Sequence, residues 1–156
     1  MADYFYHTGI ESECCYELLE HSNNPWHYDA LSLIYAMQVP NELLDSFLID
    51  VKEQFQGVAL LFKLPAHTFY GWHVDRKRQC CINLELNETL SSTYFGKKNE
   101  REIYDNLVRL NYENQYVLLN TQEWHSVANL GEERILFSLG FNNTAYEEVL
   151  AYLNAK

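Results

Sequence analysis

Residues 133–141 constrain this chain more than any other segment. Successive side chains on an extended strand point to opposite sides. Ile135, Phe137, Leu139 and Phe141 therefore share one face, and Arg134, Leu136, Ser138 and Gly140 share the other. This is the strongest strand signal in the sequence. It also contains an anomaly, because an arginine in an apolar strand is costly unless it meets an anion. A guanidinium offers a carboxylate two parallel hydrogen bonds, and Ser138 adds a hydroxyl on the same face. A neighbouring Glu132 or Glu133 is the alternative partner, which would leave Arg134 a surface residue.

The other segments place this strand in a larger pattern. Short apolar runs at residues 58–64, 66–75, 79–86, 92–95, 116–119 and 124–127 read as strands. In 79–86, Ile82, Leu84 and Leu86 alternate with Cys81, Asn83 and Glu85. Helices precede these strands. The run 28–37 is mostly apolar and reads as helical. Leu43, Leu44, Phe47, Leu48, Val51 and Phe55 recur at steps of three and four and form one helix stripe, with Asn41 as N-cap and Gly57 as stop. Residues 12–20 suggest a short helix, and 102–110 carry some helical potential within a polar stretch. A last helix begins near Thr144, which has capping-box spacing to Glu147. Helices followed by many short strands imply an α+β domain built on an antiparallel barrel or jelly roll. One domain, 1–156, is expected: helical over 1–57, a β-barrel core over 58–142 and a C-terminal helix over 143–156.

Composition limits the function. The chain has 156 residues, enough for one domain with its own core, and 47% of them are hydrophobic. No run approaches the ~20 apolar residues of a membrane span, and the first residues show no signal-peptide pattern. The four cysteines form two adjacent pairs, Cys14-Cys15 and Cys80-Cys81, without zinc-ribbon spacing. Free thiols fit a soluble, cytoplasmic protein. Net charge is −11, from 11 basic and 22 acidic residues, which argues against a nucleic-acid partner, since such affinity rests on neutralising phosphates. The basic triplet Arg76-Lys77-Arg78 is the local exception.

His73-Val74-Asp75 closes a predicted strand, where residues two apart face the same side and can hold one metal ion. His-x-Asp alone is a weak signal: six histidines and six aspartates give roughly a quarter of one such triplet by chance. A second, His27-Tyr28-Asp29, opens the predicted helix 28–37, where side chains two apart diverge by about 200°. Context favours His73 and Asp75, because His125 follows on another short strand and Arg134 nine residues later. Two histidines and one carboxylate on one face leave coordination positions open, a donor set that suits Fe(II).

The segments HVDRKRQCCINLEL and NTQEWHSVANLGEERILFSLGF together resemble the core of the Fe(II)/2-oxoglutarate-dependent dioxygenases. Within that superfamily they look most like the aspartyl/asparaginyl-hydroxylase-like and phage-encoded small oxygenases. The resemblance covers residues 58–142. It implies a double-stranded β-helix, a jelly-roll or cupin-like barrel, with the N-terminal helices packed on it. It also implies iron on His73, Asp75 and His125, 2-oxoglutarate held through its far carboxylate by Arg134, and dioxygen as co-substrate. Ser138, Arg78 and Asn83 are further candidates for co-substrate or substrate contacts. The implied reaction is hydroxylation of an amino acid or a protein side chain, with a nucleobase also open as substrate. The competing expectations are a cupin-like metalloenzyme that does not use 2-oxoglutarate, and a non-catalytic ligand-binding barrel. Tyr70, Phe69, Trp72 and Trp124 are candidates for the cavity wall, with core packing as their other reading. No oligomeric state is written in the sequence.

Overall fold

A computed structural model describes residues 4–29 and 34–156. In chain order they form β1 (Phe5–Glu11), α1 (Cys15–His21), β2 (His27–Asp29), β3 (Ile34–Gln38), α2 (Ser46–Phe55), β4 (Val58–Leu64), β5 (Thr68–His73), β6 (Cys80–Glu85), β7 (Ser91–Lys98), β8 (Tyr104–Leu110), β9 (Gln115–Asn120), β10 (His125–Asn129), β11 (Arg134–Phe141) and α3 (Tyr146–Asn154). The strands build two sheets, one in the order β1-β9-β6-β11-β4-β3-β2 and one in the order β5-β10-β7-β8. Every pairing is antiparallel. From β4 to β11 the chain passes back and forth between the sheets, which is the winding of a jelly roll, or double-stranded β-helix.

The alternation read in residues 133–141 determines what each face of the large sheet meets. Strand β11 is central, paired to β4 on one edge and β6 on the other. Phe137, Leu139 and Phe141 are fully buried in a cluster with Leu61, Ile82 and Leu84, and with Leu18 of α1, Leu48 and Val51 of α2 and Val149 of α3. The helices thus cover the outer face. Leu136 packs on the inner face against a second cluster between the sheets, built on Cys81, Phe95, Val117 and Leu119. Gly57 has a packing reason as well as a turn reason: a Cβ there would come within 2.8 Å of Leu139 and Phe141 side-chain atoms.

Several local expectations change. Residues 28, 29 and 34–37, read as part of a helix, lie on strands instead. Within the described residues β2 and β3 form an antiparallel pair that extends the large sheet beyond β4; residues 30–33 lie outside the described residues. Among the described residues the 1–57 region therefore contributes three strands besides its helices. Residues 104–110 are strand β8, paired to β7, despite their helical potential. In both cases pairing to a neighbouring strand overrides local propensity. The caps also move. Asp45, not Asn41, caps α2 by accepting from the Leu48 amide at 3.0 Å, because residues 41–43 form a separate 3-10 turn. The stop comes one residue before Gly57, at Gln56, in the left-handed conformation (φ 53°). Helix α3 starts at Tyr146, where the Glu148 carboxylate accepts from the Ala145 amide at 3.3 Å.

Asp45 does more than cap. Its Oδ2 accepts from the hydroxyl of the fully buried Tyr116 at 2.6 Å and from the Glu13 amide at 3.2 Å. The Ser12 hydroxyl lies 2.8 Å from the same tyrosine oxygen. One carboxylate thus ties the N-terminal segment, α2 and β9 together. Asp45→Ala removes a cap and the acceptor of a buried hydroxyl, and is expected to cost roughly 2–3 kcal/mol. Urea unfolding monitored by circular dichroism measures this, with Tyr116→Phe expected to cost about 1 kcal/mol.

Candidate metal centre

His73 and His125 face each other because β5 and β10 pair in a register that sets them directly opposite. Their rings lie 4.2 Å apart between centroids. The pairing shifts between His125 and Val127, the kind of irregularity that re-aims side chains at strand ends. Phe95, opposite His125 on β7, packs its ring 5.6 Å from the imidazole, and Tyr70 meets His73 edge-on at 4.5 Å.

Each imidazole is oriented through its other nitrogen. His73 Nδ1 is 2.7 Å from the Gly71 carbonyl and His125 Nδ1 is 2.8 Å from the Glu123 carbonyl. A carbonyl only accepts, so both Nδ1 atoms carry hydrogen. In the neutral ring the lone pair then lies on Nε2, which can act as a ligand. They converge on Asp75 Oδ1, at 3.6 Å from His73 and 3.8 Å from His125.

Asp75 does not lie on the strand. Strand β5 ends at His73, and Asp75 is delivered from the following loop. Its amide donates to the Thr121 carbonyl at 2.9 Å, and its own carbonyl accepts from Gln122 Nε2 at 3.1 Å. The expected convergence exists, but loop anchoring rather than strand periodicity produces it. His27 and Asp29 lie on β2, not on a helix, and among the described residues they join no metal-capable group. Among the described residues His73, Asp75 and His125 are the metal-capable group, with ligand atoms all within 4.8 Å of one another.

The donor set fits a divalent ion. Two imidazole nitrogens and one carboxylate oxygen point at a common centre, and gaps of 3.6 and 3.8 Å are slightly wider than the ~3 Å between neighbouring ligands on an ion with bonds of about 2.1 Å. His125 is 6% exposed. Its burial, then the adjacent His73, push its pKa down to about 4, so the ligating neutral form dominates near neutral pH.

A cavity of about 210 Å³ opens beside these three residues, with Arg134, Thr93 and Tyr112 also on its wall. Arg134 is 3% exposed. Its Nε donates to Glu85 at 2.9 Å, its Nη1 lies 3.4 Å from the Thr93 hydroxyl, and its guanidinium stands over the Tyr112 ring at 5.3 Å. Glu85 is fixed in turn by the Ser91 hydroxyl at 2.8 Å. The carboxylate on Arg134 is thus Glu85, from the adjacent strand, rather than Glu132 or Glu133. Thr93 is two residues along β7 from Phe95, roughly 7 Å, and Phe95 pairs with His125. The arginine therefore sits close to the metal-capable group but separate from it.

The remaining candidates divide. Asn83 is buried on the cavity wall, with Nδ2 3.5 Å from the Tyr112 hydroxyl and Oδ1 without a hydrogen-bond partner among the described residues. Arg78 also lines the cavity, but it donates to Asp75 Oδ2 at 2.7 Å and to the Ser138 hydroxyl at 2.9 Å. Ser138 is thereby engaged with Arg78. Of the aromatic candidates, Tyr70 lines the cavity. Phe69 is 62% exposed, and Trp72 and Trp124 pack around Tyr104 instead. Thr93, Tyr112 and Glu85 join the site without being among the sequence candidates. None has a local motif, and only strand register and the path of the β8–β9 connection bring them to Arg134.

Comparison with known proteins shows the fold. No family model matches the chain, and no curated protein matches it. Among solved structures it is similar to a Pseudomonas putida prolyl-4-hydroxylase, with TM-score 0.66, 13% identity and coverage of 89% of this chain and 91% of that one. It is also similar to an oxidoreductase of the 2OG-Fe(II) oxygenase family from Burkholderia pseudomallei, with TM-score 0.57, 12% identity and coverage of 85% and 82%. A third is the viral collagen prolyl hydroxylase of Paramecium Bursaria Chlorella virus-1 in a 2OG complex, with TM-score 0.54, 9% identity and coverage of 87% and 93%. The chain shares the fold of 2OG-Fe(II) oxygenases, prolyl hydroxylases among them. No helix among the described residues is long and apolar enough to cross a membrane.

Because His125 stays neutral in the native state to about pH 4 while an unfolded histidine takes up a proton near 6.5, the unfolded chain binds more protons between those values. Metal-free protein is therefore expected to lose stability as pH falls from about 6.5 to 4. Thermal melts across that range should show a flatter profile for His125→Asn, and matching profiles would count against the buried neutral imidazole.

Proposed function

We propose that this protein is an Fe(II)/2-oxoglutarate-dependent dioxygenase that hydroxylates an amino acid or a protein side chain. The observation that carries the reading is the convergence of two imidazole Nε2 atoms and one Asp75 oxygen on a cavity that also holds a buried arginine. The fold shared with 2OG-Fe(II) oxygenases supports it.

His73, Asp75 and His125 would hold Fe(II), and Arg134 would hold the far carboxylate of 2-oxoglutarate. Together, bound iron and co-substrate supply oxidative chemistry in which 2-oxoglutarate, dioxygen and a substrate C–H become succinate, carbon dioxide and a C–OH. The protein's part is placement. Neutral histidines and one carboxylate leave ligand positions for co-substrate and dioxygen. Glu85 occupies the Nε of Arg134, which leaves guanidinium N–H groups for an incoming carboxylate. The Thr93 and Tyr112 hydroxyls lie beside it as further donors, and burial strengthens such contacts by keeping water out. The apolar wall of Phe62, Leu64, Tyr70 and Val127 suits an uncharged C–H-bearing group.

Succinate release from 2-oxoglutarate with added Fe(II) tests this directly. Wild-type protein is expected to turn over, His73→Ala to lose both turnover and tight metal binding, and Arg134→Ala to raise the KM for 2-oxoglutarate by about 30–100-fold, the worth of a charge-assisted paired contact. Metal uptake unchanged in His73→Ala, together with no succinate, would sink the proposal. One observation favours a competitor: Glu85 already places a carboxylate on Arg134. A cupin-like metalloenzyme that ignores 2-oxoglutarate would show metal binding and activity indifferent to both the co-substrate and Arg134→Ala.

A further inference from the structure

We infer that Arg78 is the positioning residue of the metal centre: it turns the Asp75 carboxylate so that one oxygen serves the ion and the other cannot. This inference rests on His73, Asp75 and His125 binding a metal.

Asp75 needs such a device because it stands in a loop beyond the end of β5. A carboxylate has two equivalent oxygens and a soft terminal torsion, so in a loop either oxygen, or both, can approach an ion. Here the two oxygens have different partners. Oδ1 faces His73 and His125, while Oδ2 accepts from Arg78 Nε at 2.7 Å. An oxygen engaged by a guanidinium is held away from the metal side. Asp75 then donates through one atom, and the position a second oxygen would occupy stays open.

Arg78 is itself fixed at both ends. Its Nη1 donates to the Ser138 hydroxyl on β11 at 2.9 Å, and its guanidinium lies over the Phe62 ring of β4 at 5.8 Å. Its backbone carbonyl accepts from the Thr121 hydroxyl at 2.7 Å and from Gln122 Nε2 at 2.8 Å. Gln122 also holds the Asp75 carbonyl, so a single side chain spans the loop that carries ligand and anchor. The stem passes over Gly140, where an added Cβ would come within 2.7 Å of Arg78 Cδ. With both ends of Arg78 pinned, that stem has nowhere to move without releasing Asp75 or Ser138. Gly140 thus leaves the space that Arg78 requires. The basic triplet splits accordingly: Arg76 and Lys77 are exposed, and Arg78 turns inward.

Mn(II) affinity of the metal-free full chain tests this without turnover. Free Mn(II) is read by electron paramagnetic resonance, and Co(II) visible absorption reports the ligand set. Arg78→Gln is expected to weaken Mn(II) binding by about 10–100-fold, the usual effect of losing a partner behind a metal ligand, and to change the Co(II) bands as Oδ2 becomes free to coordinate. Arg78→Lys is expected to recover part of the loss, because one ammonium reaches Asp75 or Ser138 but not both in Arg78's geometry. Gly140→Ala and Ser138→Ala, which leave Asp75 and Arg78 in the sequence, are expected to weaken binding in the same direction. A folded Arg78→Gln with wild-type affinity and wild-type Co(II) bands overturns the inference. If Arg78→Gln does not fold, wild-type affinity in both Gly140→Ala and Ser138→Ala overturns it. Wild-type protein that takes up no Mn(II) removes the metal centre and this role with it, whereas metal binding with activity indifferent to 2-oxoglutarate and to Arg134→Ala removes only the oxygenase reading.

Discussion

Strand β11 is hydrogen-bonded along both edges and packed on both faces. A shift of one residue in its pairing would exchange Phe137, Leu139 and Phe141 with Leu136, Ser138 and Gly140. Aromatic rings would enter the cavity, and Arg134 would be driven into the helix-facing core. The burial of three large side chains on one face therefore fixes the register. That register sets Arg134, Ser138 and Gly140 opposite their partners on β4 and β6. The candidate site inherits its geometry from hydrophobic packing on the far side of the same strand.

Charge follows a similar logic inside the cavity. The two buried or half-buried arginines each meet a carboxylate of the protein: Arg78 meets Asp75, and Arg134 meets Glu85. An unpaired guanidinium there would be costly. These pairs also point the groups. In each case the acid takes Nε, which fixes the plane of the guanidinium and sends its remaining N–H groups in a defined direction.

The sequence was most legible where one physical signal acted alone. Alternation over 133–141 reported a two-faced strand, and the three- and four-residue steps of Phe47, Leu48, Val51 and Phe55 reported α2. Legibility failed where long-range pairing decided the outcome. Residues 28–37 have the apolar content of a helix, yet β2 and β3 pair with each other and β3 pairs with β4. Residues 102–110 carry some helical potential within a polar stretch, yet β8 pairs with β7. The metal-capable group was visible as residue types, but the reason it converges was not. Asp75 is placed by Thr121, Gln122 and Arg78, contacts that no local spacing encodes. Glu85 was visible as an alternating strand residue, and only the β6–β11 pairing reveals it as the partner of Arg134.

The jelly-roll winding has a kinetic consequence. Few of its strand neighbours are neighbours in sequence: β1 lies beside β9, where the Thr8 hydroxyl bonds the Tyr116 carbonyl 108 residues later. Such topologies pay loop-closure entropy before long-range contacts return it, so they fold slowly for their size. His73 and His125 come together only when β5 and β10 zip, so an ion held between them would bind a closed small sheet and not the open chain. Its effect would fall on the rate at which the folded barrel comes apart rather than on the rate at which it forms. A metal held here would then act as a latch on the finished barrel.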